Sequence, residues 1–212
     1  MKQALEYLKK AIEILESEES DCECESCDCE TVEENRVQLC TLAAGMKFKT
    51  DIGNFIVLDH LEEGTLVITE GLFAEDVKFG DSTNFKESEL RELFATDIYE
   101  KFVGEFGANN MIVHEADLMT LDGQNLYGKY ECRVRPLTFD EARKYNALLV
   151  NKDLPDWYWT LTPWSSKERG WEYSVAVVSP SGYVSNRSYD GNCGVRPICI
   201  LKSNIFVSKK GE

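Results

Sequence analysis

Cys22, Cys24, Cys27 and Cys29 stand in a C-x-C-x-x-C-x-C pattern. Four thiolates that close together can offer the soft tetrahedral set that zinc prefers, with Cys24 and Cys27 as a two-residue knuckle. Asp21, Glu23, Glu25, Asp28 and Glu30 surround them; these carboxylates make the free thiols harder to ionise yet draw in a cation. The spacing is tight for one ion, since zinc sites usually join two knuckles from distant segments. Three readings stand side by side: a structural metal, zinc first; a linker whose thiols are reduced or oxidised; and an iron-sulfur cluster. Bound zinc would fold the segment around itself.

The remaining candidates for chemistry are sparser. His60 and His114 are the only histidines, and neither sits in a metal or nucleophile motif, so each reads as exposed or hydrogen-bonded. No Ser-His-Asp order, Gly-rich phosphate loop or HExxH motif occurs, which leaves hydrolase and nucleotide-enzyme readings without support. Catalytic residues are therefore not assigned, and a non-enzyme is expected. Recognition has better candidates. Ser185 to Asn192 reads as a loop of adaptable hydrogen-bonding residues with one Tyr and one Arg, the composition of a binding loop; the alternative is a plain solvated turn. Asn186, Arg187, Tyr189, Asp190 and Asn192, with Trp164 and Tyr183, form the candidate ligand-binding set. Alternation along Trp157-Tyr158-Trp159 puts both indoles on one face, where core is the simpler reading.

These residues need elements to hold them. Met1, Leu5, Leu8, Ile12 and Leu15 form a heptad seam, which predicts a helix over 1–17, too short for a self-standing coiled coil; it reads as a helix docked on its own domain, as a contributor to a homo-oligomer, or as a fraying tail. Residues 18–36 are polar and acidic without a period, a linker around the cysteines. The domain is expected over 37–208. It opens with two β-branched runs, Asn54 to Leu58 and Thr65 to Thr69, each apolar enough to be buried on two faces. Ser88 to Phe94 and Thr96 to Phe106 read as a helix pair, with Gly107 as the C-terminal cap. Met111 to Val113 and Tyr130 to Val134 read as strands. Thr138 and Glu141 make a capping box with Leu137 and Ala142 at staple positions. A hairpin runs from Tyr173 through Ser179-Pro180-Ser181-Gly182 to Ser185, and a last strand covers Val195 to Leu201. Strands and helices interleave without regular alternation, so the class is α+β, with a compact mixed or antiparallel sheet.

The chain has 212 residues, room for one good-sized domain and an appendage. Its 38 Asp and Glu against 23 Lys and Arg leave a net charge of −15, which repels phosphate backbones, so direct nucleic-acid binding is not expected. Residues 1–40 carry 12 acidic and 4 basic side chains, so the acidity is concentrated there. The start lacks the apolar core of a signal peptide, and no run approaches the roughly 20 apolar residues that span a bilayer. A soluble, cytoplasmic protein without a membrane partner is expected, and a reducing compartment argues against disulfides among the 8 cysteines.

Four features in order resemble an uncharacterised, C-type-lectin-like family of Gram-positive bacteria and their phages. They are the hairpin of Phe55 to Asp59 with Leu66 to Thr69; Ser82 to Arg91, similar to a W-x-x-S-x-L-R motif; Trp157-Tyr158-Trp159-Thr160-Leu161-Thr162-Pro163, similar to W-W-L-R-S-P; and Gly194-Val195-Arg196-Pro197. Phe85 stands where a Trp is usual, and the Arg of the aromatic motif is missing. The resemblance covers roughly residues 45–203 and implies a compact sheet whose late loops present a ligand surface. The family's end segment is similar to the sulfatase-modifying and phage variable-protein folds. Cys193 and Cys199 do not match the copper-binding pair of the formylglycine-generating enzymes, because Cys199 follows Arg196 inside the last strand. The expected function is a non-enzymatic binding module of a phage or mobile element, recognising a protein or carbohydrate, located in the host cytoplasm or the phage particle. The alternative is an anti-CRISPR-like inhibitor whose acidic surface occupies a basic cleft.

Overall fold

The computed structural model describes residues 36–210; the helix expected over 1–17 and the cluster Cys22, Cys24, Cys27 and Cys29 lie outside the described residues. The chain enters through β1 (Arg36–Gln38), β2 (Lys47–Thr50), β3 (Gly53–His60), β4 (Thr65–Thr69) and β5 (Ala74–Lys78). A helical segment follows, α1 (Glu89–Leu93), a π-helical stretch (Phe94–Ile98) and α2 (Tyr99–Phe106). Then come β6 (Met111–Ile112), β7 (His114–Asp117), β8 (Lys129–Cys132), β9 (Val134–Arg135), α3 (Phe139–Lys144) and α4 (Asn146–Leu149). The last third is β10 (Tyr158–Pro163), β11 (Ser174–Val178), β12 (Val184–Ser188), β13 (Asn192–Val195), β14 (Ile198–Leu201) and β15 (Phe206–Lys209). The class is α+β, as the interleaving predicts.

The larger sheet has the order β1-β15-β2-β3-β4-β14-β6, with β9 also on β14; the second is β12-β11-β10-β13-β5; β7 and β8 form a separate ribbon. β10 and β13 run parallel; the other pairs are antiparallel. The central strands of the larger sheet are buried on both faces, as their unbroken apolar runs predict. Period-2 alternation sends Phe55, Val57 and Val67 into one core and Ile56, Leu58, Leu66 and Ile68 into another. The first core holds a run of edge-on aromatic contacts, Phe55 to Phe102 at 5.5 Å and Phe79 to Trp159 at 5.4 Å between ring centroids. The second packs Leu137, Ala142, Tyr145, Leu149 and Tyr158 against the opposite face.

The expected helix pair is instead one continuous helical rod. Leu90, Phe94, Ile98, Phe102 and Phe106 are its buried side chains, a strict four-residue repeat. In a plain α-helix such a repeat drifts by about 40° per step, because a turn takes 3.6 residues. The wider π turn at Phe94–Ile98 removes part of that drift and keeps the stripe on the sheet. Ser88 caps the start, accepting from the Arg91 amide at 3.0 Å, so the Ser-x-Leu-Arg stretch is a cap followed by a core leucine. Gly107 closes the rod at φ 76°, as expected.

The expected last strand, Val195 to Leu201, is also two elements. β13 lies in the second sheet and β14 in the larger one, and the chain crosses between them at Arg196-Pro197, where Pro has no amide to give a ladder. The capping box forms as predicted: the Glu141 amide donates to Thr138 Oγ1 at 3.1 Å and the Thr138 amide to Glu141 Oε2 at 2.8 Å.

Candidate functional site

Apart from Trp164, the residues singled out for recognition fall on or beside β12, an edge strand of the second sheet among the described residues. Ser185 to Asn192, expected as a loop, is in fact the edge strand β12 followed by a tight turn in which the Gly191 amide donates to Ser188 O at 3.0 Å. The reason is β11, whose apolar Ser174–Val178 run gives a partner in full register, Val175 opposite Arg187 and Ala176 opposite Asn186. Strand alternation therefore parts the set: Arg187 and Asn186 point to opposite faces. Arg187 donates to the Asn192 carbonyl, and the Asn192 amide reaches Asp76 at 2.8 Å, so both brace the turn. Asp190 is exposed at its tip.

Aromatic rings flank Arg187 at either end of the strand. Tyr183 meets Trp157 edge-on at 5.9 Å, and Tyr189 meets Tyr173 at 6.2 Å. From residue 183 to 189 an extended chain covers about 20 Å. Tyr183 is 65% exposed, Tyr173 57% and the nearby Trp171 54%. Tyr173 and Trp171 are absent from the set drawn from sequence. Their signal was the aromatic clustering itself; their exposure followed only once β11 was placed. Trp159 is buried, its indole N–H donating to Val77 O at 2.7 Å, whereas Trp157 is half-buried. Trp164 is half-buried after β10, its amide bonded to Ser174 O at 2.8 Å. The segment beyond it is tied down by Asp122, which accepts from Thr120 Oγ1 at 2.6 Å, Ser165 Oγ at 2.7 Å and Arg169 at 3.2 Å. These donors hold the Asp122 carboxyl well below the usual range.

Both histidines are held by hydrogen bonds within the fold. His114 is buried, with Nδ1 3.2 Å from Ile112 O and Nε2 3.0 Å from Arg135 Nε. The carbonyl can only accept and the guanidinium can only donate, so Nδ1 carries the proton and the Nε2 lone pair is taken. Burial and the Arg135 charge lower its pKa to about 4. Arg135 continues as a fork onto Glu141, both oxygens at 2.7 Å. Burial works against the Glu141 carboxylate, and Arg135 overcomes it and holds the pKa low. Cys132 Sγ lies 4.0 Å from His114 Nε2, but that nitrogen is occupied by Arg135, and burial pushes the thiol up to about 11. Burial likewise pushes Cys193 up to about 12 and raises Cys199. Burial thus favours the neutral thiol over the thiolate at all three positions. His60 is held at the end of β3, Nε2 at 2.8 Å from Leu42 O and Nδ1 at 2.9 Å from Thr65 Oγ1.

The Gly194-Val195-Arg196-Pro197 stretch has a structural office. Arg196 is fully buried, with no carboxylate partner among the described residues. Its guanidinium donates to Thr69 O at 3.1 and 3.0 Å, to Leu149 O at 2.9 Å and to Tyr158 Oη at 3.3 Å, and it lies 5.0 Å from the Tyr158 ring centre. It thus nails the end of β4 to the end of α4. A Cβ at position 194 would lie 2.4 Å from Leu72 Cδ1, so any larger residue there has to displace the Leu72 side chain.

Among the described residues, no group of three or more His, Cys, Asp or Glu side chains is placed to hold a metal ion, and no helix is long and apolar enough to cross a membrane. Residues 123–203 match a family described as a domain of unknown function (DUF6273). That match spans β8 to β14 and leaves out β1 to β7 and β15, which contribute strands to all three sheets. No curated protein and no solved structure matches the chain.

Proposed function

We propose that this chain is a non-enzymatic recognition module of a phage or mobile element, with a C-type-lectin-like domain that binds a protein or carbohydrate partner along the β12 edge. The observation that carries this reading is the pair of aromatic contacts, Trp157 with Tyr183 and Tyr173 with Tyr189, set on either side of Arg187 on the edge strand of the second sheet. Exposed Tyr and Trp rings supply large contact area with few rotatable bonds, and Arg adds directional hydrogen bonds. The free edge of β12 also offers backbone donors and acceptors to an extended ligand. The fixed His114 tautomer and the raised thiol pKa values support a binding role over a catalytic one.

Affinity purification from the native host, followed by mass spectrometry, identifies the partner. Arg187→Ala and Tyr189→Ala should each weaken it by about tenfold or more, the cost of truncating a central interface side chain. Unchanged affinity in both variants removes the β12 edge from the account.

A further inference from the structure

A concave surface that shares no lining residue with the β12 strip is present elsewhere in the domain. Between the end of β4 and the segment after α4 is an open cleft of about 790 Å³, a size that accepts a small organic ligand. Its walls are tied by hydrogen bonds. On the β4 side, the Thr69 amide donates to Pro197 O at 3.1 Å, the Glu70 amide to Asn54 O at 2.8 Å and the Phe73 amide to Val195 O at 2.8 Å. Asn151 Nδ2 reaches across to Glu70 O at 3.1 Å. Arg196 holds both walls at once, through Thr69 O and Leu149 O. A buried guanidinium spent on two backbone carbonyls of facing segments fixes their separation.

The lining mixes apolar surface with side chains still able to bond a ligand. Leu72, Phe73, Leu154 and Pro155 supply the apolar part. Glu70 is committed, its carboxylate between Lys47 at 2.5 Å and Lys210 at 2.8 Å. Lys101 stands over the Phe73 ring at 5.4 Å; neither it nor Asp153 joins an ion pair with a described residue. One free ammonium and one free carboxylate leave the cleft close to neutral, which disfavours phosphorylated or otherwise strongly charged ligands. Together with the Asn54 amide they offer both donors and acceptors, the set that hydroxyl groups satisfy in both roles. Gly71 lines the same space, and a Cβ added there meets no atom within 4 Å.

We propose that this cleft binds a short, uncharged saccharide, its hydroxyls bonded by Asn54, Lys101 and Asp153 and its C–H faces set against Phe73 and Leu72. The site is separate from the β12 strip and stands whether or not that strip binds a partner.

The test uses the full chain and titrates maltotriose, cellotriose, mannotriose and tri-N-acetylchitotriose by calorimetry, with inorganic phosphate and lysine as charged probes. At least one saccharide should bind. Gly71→Leu, which fills the cleft from a position with room for a side chain, should weaken it by about tenfold or more, and Asp153→Ala by a smaller factor. Both variants should melt like the wild type, and Arg187→Ala should bind the saccharide unchanged. The proposal is overturned if no saccharide binds, if only a charged probe does, or if binding survives both Gly71→Leu and Asp153→Ala. Loss on Arg187→Ala alone would place the saccharide on the β12 strip instead.

Discussion

The buried His114 makes the domain acid-sensitive from a pH above the ordinary carboxylate range. Its folded pKa is about 4 against 6.5 for a free imidazole, because burial and Arg135 both oppose a second proton. For a base whose folded pKa is depressed, the unfolded chain takes up the proton first. The contribution is complete above pH 6.5 and is lost as pH falls towards 4. Linkage across that interval gives a loss of about 2 kcal/mol between pH 7 and pH 5, rising to about 3 kcal/mol below pH 4. Glu70, held near 2 by Lys210 and Lys47 against the effect of burial, acts only below its ordinary 4.5. Urea unfolding at pH 7 and pH 5 measures the difference, and His114→Asn provides the reference. The variant loses the Arg135 contact and is less stable at both values, but its pH dependence across this interval should be flatter by about 2 kcal/mol. Carboxylate contributions are common to both proteins and cancel. Parallel slopes in the two proteins would refute the argument, as would a ring resonance of His114 titrating near 6.5 in the folded state.

Two further outcomes follow from the hydrogen-bond geometry. Arg196→Lys keeps the charge but loses the fork that reaches Thr69 O, Leu149 O and Tyr158 together; it should cost about 3 kcal/mol in urea unfolding, since a buried ammonium cannot reach all three. Thr138→Ala removes one half of the capping box and should cost about 1 kcal/mol; the Glu141 carboxylate, still forked by Arg135, keeps the loss from being larger.

Local signals with a short-range cause were legible in the sequence. The capping box at Thr138, the Gly107 cap and the hairpin through Ser179 to Gly182 depend on neighbours within a few residues, and each forms where its residues stand. Burial of β3 and β4 on two faces could also be read, because Phe55 to Leu58 and Leu66 to Ile68 lack a polar alternate. What the sequence hid were features decided by distant partners. The π turn depends on which face of the rod meets the sheet, so a four-residue repeat without that face looked like two helices. Val195 to Leu201 looked like one strand because nothing local says that β13 and β14 join different sheets. The candidate loop became a strand for the same reason, since Arg187 and Asn186 have no β propensity of their own and take their extended form from β11. Of the proposed recognition set, Tyr183 and Tyr189 stand on the aromatic strip, while Asn192 and Arg187 also stabilise the turn between β12 and β13. The cleft beneath Arg196 draws on residues from 47 to 155, a spacing that no linear motif encodes.

The pairing of β1 with β15, Arg36 opposite Ser208, sets the two ends of the folded domain side by side, about 5 Å apart between Cα atoms. A unit that starts and finishes at one point behaves as a cassette. It can be spliced into a surface turn of another polypeptide without stretching the host chain, and can move between proteins with its fold intact.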